Sequence, residues 1–405
     1  MTTTHIRPAD AYSPLYFLAS LGAGGLSVTF FMYLMFWVPY TGRPVPVFED
    51  LMAVFAAGPL ALQVAVAVAM AGIAVMAFFN IKLLVWNLGA LARFRQTPAF
   101  ETLRNSNAQA SLLAAPLAVA MTINGLFIVG LVFVPGLWGI VEYLFPFAML
   151  AFLAVGVWAL RLIGDFLGRI LTKGGSFDTG AHNSFAQVLP AFALAMVAVG
   201  LAAPAAMSSN AAVVGIALML STFFGVSAII YAGFAAITGL NAMLQHGTAR
   251  EAGPTLMVIV PLLTILGILS MRQNHGLHMG FDTVSNAADT MMFMARILAV
   301  QVLFVLLGLL VLRKQDYFGD FVFGNKTSPG SYALVCPGVA LSVMVQFFVN
   351  KGLVAAGLVT KFGMVYWGLT GIAIGAQVLM IALVIRLNRQ HFGRPAASGT
   401  LVPAE

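Results

Sequence analysis

Cys336, the only cysteine of the chain, stands directly before Pro337 in the stretch SPGSYALVCPGVALSVMVQFFVN, residues 328–350. A lone thiol rules out a disulfide within the chain and a paired-cysteine metal or redox site. Six histidines are present, and His275 and His278 in RQNHGLHMGFD have an H-x-x-H spacing. Two histidines without a third ligand make a poor zinc site, and a solvated loop is the simpler account. His182 beside Asn183 borders an apolar segment, where it would meet an entering anion or be held by packing. No histidine is expected inside an apolar stretch, as haem ligation would require. Asp289 and Arg296, seven residues apart, would share a helix face about 10.5 Å apart along the axis, too far for a simple pair. No catalytic residue, metal site or cofactor follows from these groups, and the chain is not read as an enzyme.

The remaining residues say where the chain lives. Of 405 residues, 61% are hydrophobic and 8% charged, against about 25% charged in soluble domains. Apolar stretches long enough to cross a hydrocarbon core of about 30 Å recur along its whole length. The reading is an all-α integral membrane protein in contact with lipid. Spans are predicted at about 14–40, 58–81, 110–134, 139–163, 186–206, 211–240, 254–271, 289–312, 331–349 and 363–385. A cytoplasmic tail (1–13) precedes the membrane domain (14–388), and a second cytoplasmic tail (389–405) follows it. The first span is too long and too weakly basic in front for a cleaved signal peptide.

Orientation follows from the cations. With the N-terminus inside, fifteen of the twenty Lys and Arg residues fall in inner segments. The outer segments hold Arg43, Arg272, Lys351 and Lys361, and Arg296 lies within a span. Basic residues so distributed record topology, with both termini cytoplasmic, and no nucleic-acid partner is implied. Glu142 near the outer end of span four reaches the interface, and the methionines of DTMMFMARI are adaptable packing. Arg296 within an even span needs a partner or a route to water, for which a subunit interface is one place.

Prolines mark an internal repeat. Pro116, Pro190, Pro261 and Pro337 fall in spans three, five, seven and nine, and a period of this size is one helical hairpin, so the chain reads as five. In span one, SLGAGGLS supplies Gly22, Gly24 and Gly25 at the corresponding depth. Proline inside a helix costs about 3 kcal/mol, and freed backbone groups at membrane depth are tolerated where they are buried in protein or line water. The expectation is ten helices as five hairpins, with kinked odd-numbered helices around a central pore. Polar residues follow the same division: Ser27, Thr29, Ser111, Thr122, Asn124, Asn183, Ser184, Gln187, Thr264, Ser342 and Gln346 lie in or beside odd spans. Of these, Ser27, Thr122, Asn124, Gln187, Thr264 and Ser342 are the candidate pore lining, although such residues also pack helices together. An uncharged lining suits a weakly bound anion in transit.

Three segments carry a resemblance: RFRQTPAFETLRNSNAQASLLAAP before span three, HGTAREAGPTLMVIVPLLT before span seven, and SYALVCPGVAL in span nine. With the proline pattern they make the chain similar to the tellurite-resistance/dicarboxylate transporter family of bacterial tellurite-resistance proteins and plant slow-type anion channels. The resemblance covers residues 14 to 388. It implies an anion channel or facilitated transporter in a bacterial inner membrane, built as a homotrimer with one pore per subunit. Chloride or nitrate, sulfite or tellurite oxyanions, and C4-dicarboxylates all fit it. In that family a phenylalanine before the kink of the ninth helix plugs the pore. Alignment on Pro337 puts Cys336 at that gate, a smaller group that leaves the pore wider or closed from elsewhere. Phe347 and Phe348 lie about three turns away. The alternatives are a proton-coupled exporter of organic or sulfur oxyanions and a non-transporting membrane sensor or scaffold.

Overall fold

The computed structural model describes residues 9–172, 178, 183–281 and 286–392, and these form helices without a strand among them. Ten of the described segments are long and apolar enough to cross a membrane: α1 (Pro14–Trp37), α2 (Leu60–Phe94), α3 (Asn107–Phe133), α4 (Leu137–Thr172), α5 (Phe185–Met207), α6 (Ala211–His246), α7 (Arg250–His278), α8 (Ala287–Lys314), α9 (Pro329–Val354) and α10 (Met364–Phe392). Each coincides with an expected span. The even-numbered helices run on past their expected ends, by thirteen residues at Phe94 and by nine at Thr172. Lys and Arg stop a hydropathy plot but are good helix formers whose stems lie along apolar surface.

Odd and even helices differ in burial. In their most apolar windows, 61–94% of residues are buried in the odd helices and 17–33% in the even ones. The exposed side chains of the even helices include Phe78, Phe147, Ile230 and Leu306, which in water would be a costly surface and in lipid is a solvated one. The protein is therefore an integral membrane protein. Helices α1, α3, α5, α7 and α9 pack in that order, and α9 packs back on α1. Each even helix packs on the odd helix before it.

Every odd helix opens with a tight 3₁₀ stretch, at Pro14–Tyr16, Asn107–Leu113, Phe185–Val188, Arg250–Met257 and Pro329–Leu334. Four start at a serine, Ser13, Ser106, Ser184 and Ser328, whose hydroxyl accepts the N–H two residues on. These five stretches also touch one another in a closed order.

The prolines explain the change of winding, and correct the expected kinks. Pro116, Pro190, Pro261 and Pro337 are the second or third residue of the α-helices that begin at Ala114, Leu189, Ile259 and Val335. An N–H in the first turn has no intrahelical acceptor, so proline there forfeits nothing and the interior penalty does not apply. What proline does prevent is continuation of the α pattern upstream, and the preceding residues wind more tightly. Span one has no such proline. Its glycines do not loosen it either, since the helix is continuous over Phe17–Trp37. They admit neighbours: a Cβ on Gly22 would lie 2.9 Å from Val335 Cγ1, and one on Gly25 2.9 Å from Val339 Cγ1.

Buried polar contacts fasten the layers. Asn80 of α2 donates to the Ser20 carbonyl at 2.8 Å, and the Ser20 hydroxyl donates to the Asn80 carbonyl at 2.8 Å. Asn87, one face further along, donates to the Tyr16 carbonyl at 3.1 Å and accepts from the Tyr12 hydroxyl at 2.9 Å. Tyr16 and Tyr332 bond His391 and Asn388 on the last helix at 3.1 and 2.9 Å. Glu142 is not simply at an interface. It accepts from Ser208 at 2.6 Å and from the Ser209 N–H at 2.6 Å, pinning α4 to the α5–α6 turn.

Candidate functional site: a cavity among the odd helices

The five odd helices, with Phe145, Ala148 and Phe152 of α4 and Asp289, Thr290 and Phe293 of α8, line a cavity of about 1030 Å³, far above the 10–15 Å³ that holds one water. The lining residue nearest the 3₁₀ end is Leu21 on α1, Met121 on α3, Phe192 on α5, Pro261 on α7 and Cys336 on α9. Below that layer the side chains close up, with Tyr16, Leu113, Val188 and Tyr332 all at 2% exposure or less. The cavity therefore ends blind at the level of Cys336. At its other end it is bordered by Pro44, His275, His278, Asp289 and Lys351.

Among the pore and gate candidates, Cys336, Pro261 and Gly25 line this space, whereas Pro337, Pro116, Pro190 and Gly24 do not. Gly24 instead faces Met121 and Asn80, where a Cβ would lie 2.8 Å from Met121 Cγ. Of the polar candidates, Asn124 and Thr264 reach the wall. Ser27 and Thr122 return their hydroxyls to the Gly24 and Ala118 carbonyls at 2.6 and 2.9 Å, and Gln187 donates to the Asn107 carbonyl at 2.9 Å. Ser342 is buried away from the cavity. Thr264 is itself engaged, donating to the Ala340 carbonyl at 3.2 Å while accepting from Gln301 of α8 at 2.6 Å. Gln301, fully buried on an even helix, thus braces α7 from behind. Sequence reading passed over it because its own span is otherwise lipid-facing. Phe347 also borders the cavity, and the chain then widens into a π-helix, Phe348–Val354, which carries Lys351 to the wall.

Two expectations are corrected at the open end. The histidines are not in a loop: the helix of α7 continues over Ile259–Phe281, past the expected end at 271, so His275 and His278 occupy adjacent positions one turn apart. His246 and His391 likewise end up in helices α6 and α10, so histidines are not confined to loops. Among the described residues no group of three His, Cys, Asp or Glu is placed to hold a metal. His182 lies outside the described residues. The second correction concerns charge. The wall is not uncharged, because Arg272 lies on it, donating from Nη1 to the Val199 carbonyl at 2.6 Å. Hydropathy ends a span at such a residue, yet a cationic group facing water inside the fold does not end the helix.

Just outside, burial and then the Lys351 ammonium hold the Lys361 ammonium below its ordinary value. At the opposite end Asp320 accepts from Lys326 at 2.9 Å and pairs with Arg250 at 2.6 Å. The Lys326 hydrogen bond, more than the neighbouring charges, keeps its carboxyl below the usual range. Arg296 is exposed on α8, with no carboxylate in ion-pair range among the described residues.

No family model matches the chain, and comparison with curated proteins and with solved structures yields no match.

Proposed function

We propose that the protein is a bacterial inner-membrane anion channel or facilitated transporter, in which five helical hairpins surround a central pore and both termini are cytoplasmic. The observation that carries this reading is the large cavity lined mainly by the five buried odd helices and open at one end, whose lining holds two cations, Arg272 and Lys351, against a single carboxylate, Asp289. A cavity of that sign raises the local concentration of anions. The resemblance of the three quoted segments to the tellurite-resistance/dicarboxylate transporters agrees with it. In this reading the packed layer beneath Cys336 is a closed gate, and transport requires the 3₁₀ stretches to part. The cysteine leaves the gate layer without a plugging ring, and in this reading the seal is made below it, where Tyr16, Leu113, Val188 and Tyr332 are buried.

A second reading is favoured by His275 and His278 on the cavity border. Imidazole is a side chain suited to proton transfer, and two of them beside the opening suit an exporter coupled to protons. Purified protein in liposomes separates the two. Chloride, nitrate, sulfite or malate flux driven by membrane potential and indifferent to a pH gradient supports the channel. Flux only with a pH gradient supports the exporter. No flux of any of these anions under either gradient rejects both and leaves a sensor or scaffold.

A further inference from the structure

Arg272 is the least explained charge among the described residues. It lies thirteen residues into the helix that starts at Ile259, beyond the blind end marked by Pro261 by about 16 Å of helix axis. Helical side chains lean toward the helix N-terminus. Its guanidinium accordingly reaches inward, to the carbonyl of Val199, itself seven residues past Phe192 and so about 10 Å above the closed end. Among the described residues that bond at 2.6 Å is its one protein hydrogen bond, and no carboxylate lies within ion-pair range of it. A guanidinium has five donors in a planar fork. Asp289 borders the same cavity but is not paired with it, and Lys351 adds a second cation from α9. A charge at membrane depth without a counter-ion in the protein needs one from elsewhere or a route to water. The cavity offers both.

We infer that Arg272 forms an oxyanion-binding site in the outer half of the cavity, with Lys351 a second cation on the same wall, selective for anions whose two oxygens accept in parallel, nitrate or a carboxylate, over a spherical halide. The fork matches paired oxygens bidentately, whereas an ammonium is a point charge that does not distinguish them from chloride. The Val199 bond holds the fork in place before any anion arrives, so its ordering is not part of the cost of binding.

The inference deepens the anion-transport reading, but binding tests it without flux. Nitrate and chloride titrations of purified protein, followed by thermal stability, are expected to show nitrate stabilising at the lower concentration. Chloride should displace nitrate only in excess. Equal displacement would overturn the site, and that result needs no variant. Arg272→Lys, which keeps the charge and loses the fork, is expected to weaken nitrate by about tenfold, equivalent to about 1.4 kcal/mol, and to leave chloride nearly unchanged. A wild-type nitrate preference in that variant would also overturn the site. Nitrate binding that depends on Arg272 in a protein showing no flux keeps the site and rejects transport. Flux with the same nitrate preference in wild type and variant keeps transport and rejects the site.

Discussion

Cys336 has a different meaning in the structure from the one its neighbours in the chain imply. Its thiol is a wall group at the blind end of a cavity, beside Pro261, and is 8% exposed. A phenyl ring there would fill the cavity floor, where a thiol leaves space. Cys336→Phe is therefore expected to lower anion flux several-fold without loss of folded protein. A small charged thiosulfonate reagent added from the cavity side should inhibit the wild type and spare Cys336→Ala. Flux unaffected by either treatment would place the permeation path away from α9. Residues such as Ser27 and Thr122 teach the complementary point. Their hydroxyls close on carbonyls of their own helix, so at membrane depth they are satisfied before any ligand is present, and their polarity is not evidence of a pathway.

At the scale of the element, helix α4 shows how closely these helices approach. A Cβ on Gly156 would lie 2.4 Å from Phe224 Cζ, and Phe224 is 1% exposed with nowhere to move. Gly164, two turns further along the same helix, has nothing within 4 Å of the same position. Gly156→Ala is expected to cost about 1–3 kcal/mol through overpacking. Gly164→Ala should be neutral or stabilising by up to about 1 kcal/mol, since alanine is the better helix former. Melting of the two variants in detergent checks the contrast, and equal melting temperatures would mean that α4 and α6 are not in contact. The 3₁₀ stretches belong to this scale too. Each is short, capped by its own serine in four cases out of five, and held by neighbouring stretches rather than by a long α ladder. Such elements open at lower cost than a continuous helix, which is the reason for proposing a gate there.

At the scale of the whole molecule, the division into a buried inner set and an exposed outer set leaves one charge stranded. Arg296 is exposed ten residues into α8, at a depth where lipid is its other neighbour. A trimer, as proposed by resemblance, would cover it if α8 faces another subunit. Native mass measurement of the solubilised protein is expected to give three copies, and Arg296→Glu to shift it toward one. A wild-type protein that is monomeric at every concentration would leave Arg296 to snorkel to the interface instead, and the trimer would be abandoned.

The element plan was legible in the chain because hydrocarbon imposes it. With no water to satisfy backbone groups, apolar length specifies helices, and the excess of Lys and Arg in alternate loops gives a sidedness. The proline period was legible as well, since it survives at four of the five junctions between 3₁₀ stretch and α-helix. Its physical consequence was not: whether proline lies in a helix interior or in a first turn depends on where the α ladder starts, which serine caps and neighbouring stretches decide. The same limit hid the charge of the cavity. Arg272, Gln301 and His275 are unremarked in a hydropathy plot, because hydropathy averages over helix faces and does not know which face meets lipid, protein or water. Only the packing of the odd helices against one another, which leaves a cavity that α4 and α8 also border, turned Arg272 from an end-of-span residue into a wall group. Composition and period thus determined that this chain is a ten-span membrane protein, while tertiary contact alone decided which side chains face the cavity, because facing is a property of neighbours distant in sequence.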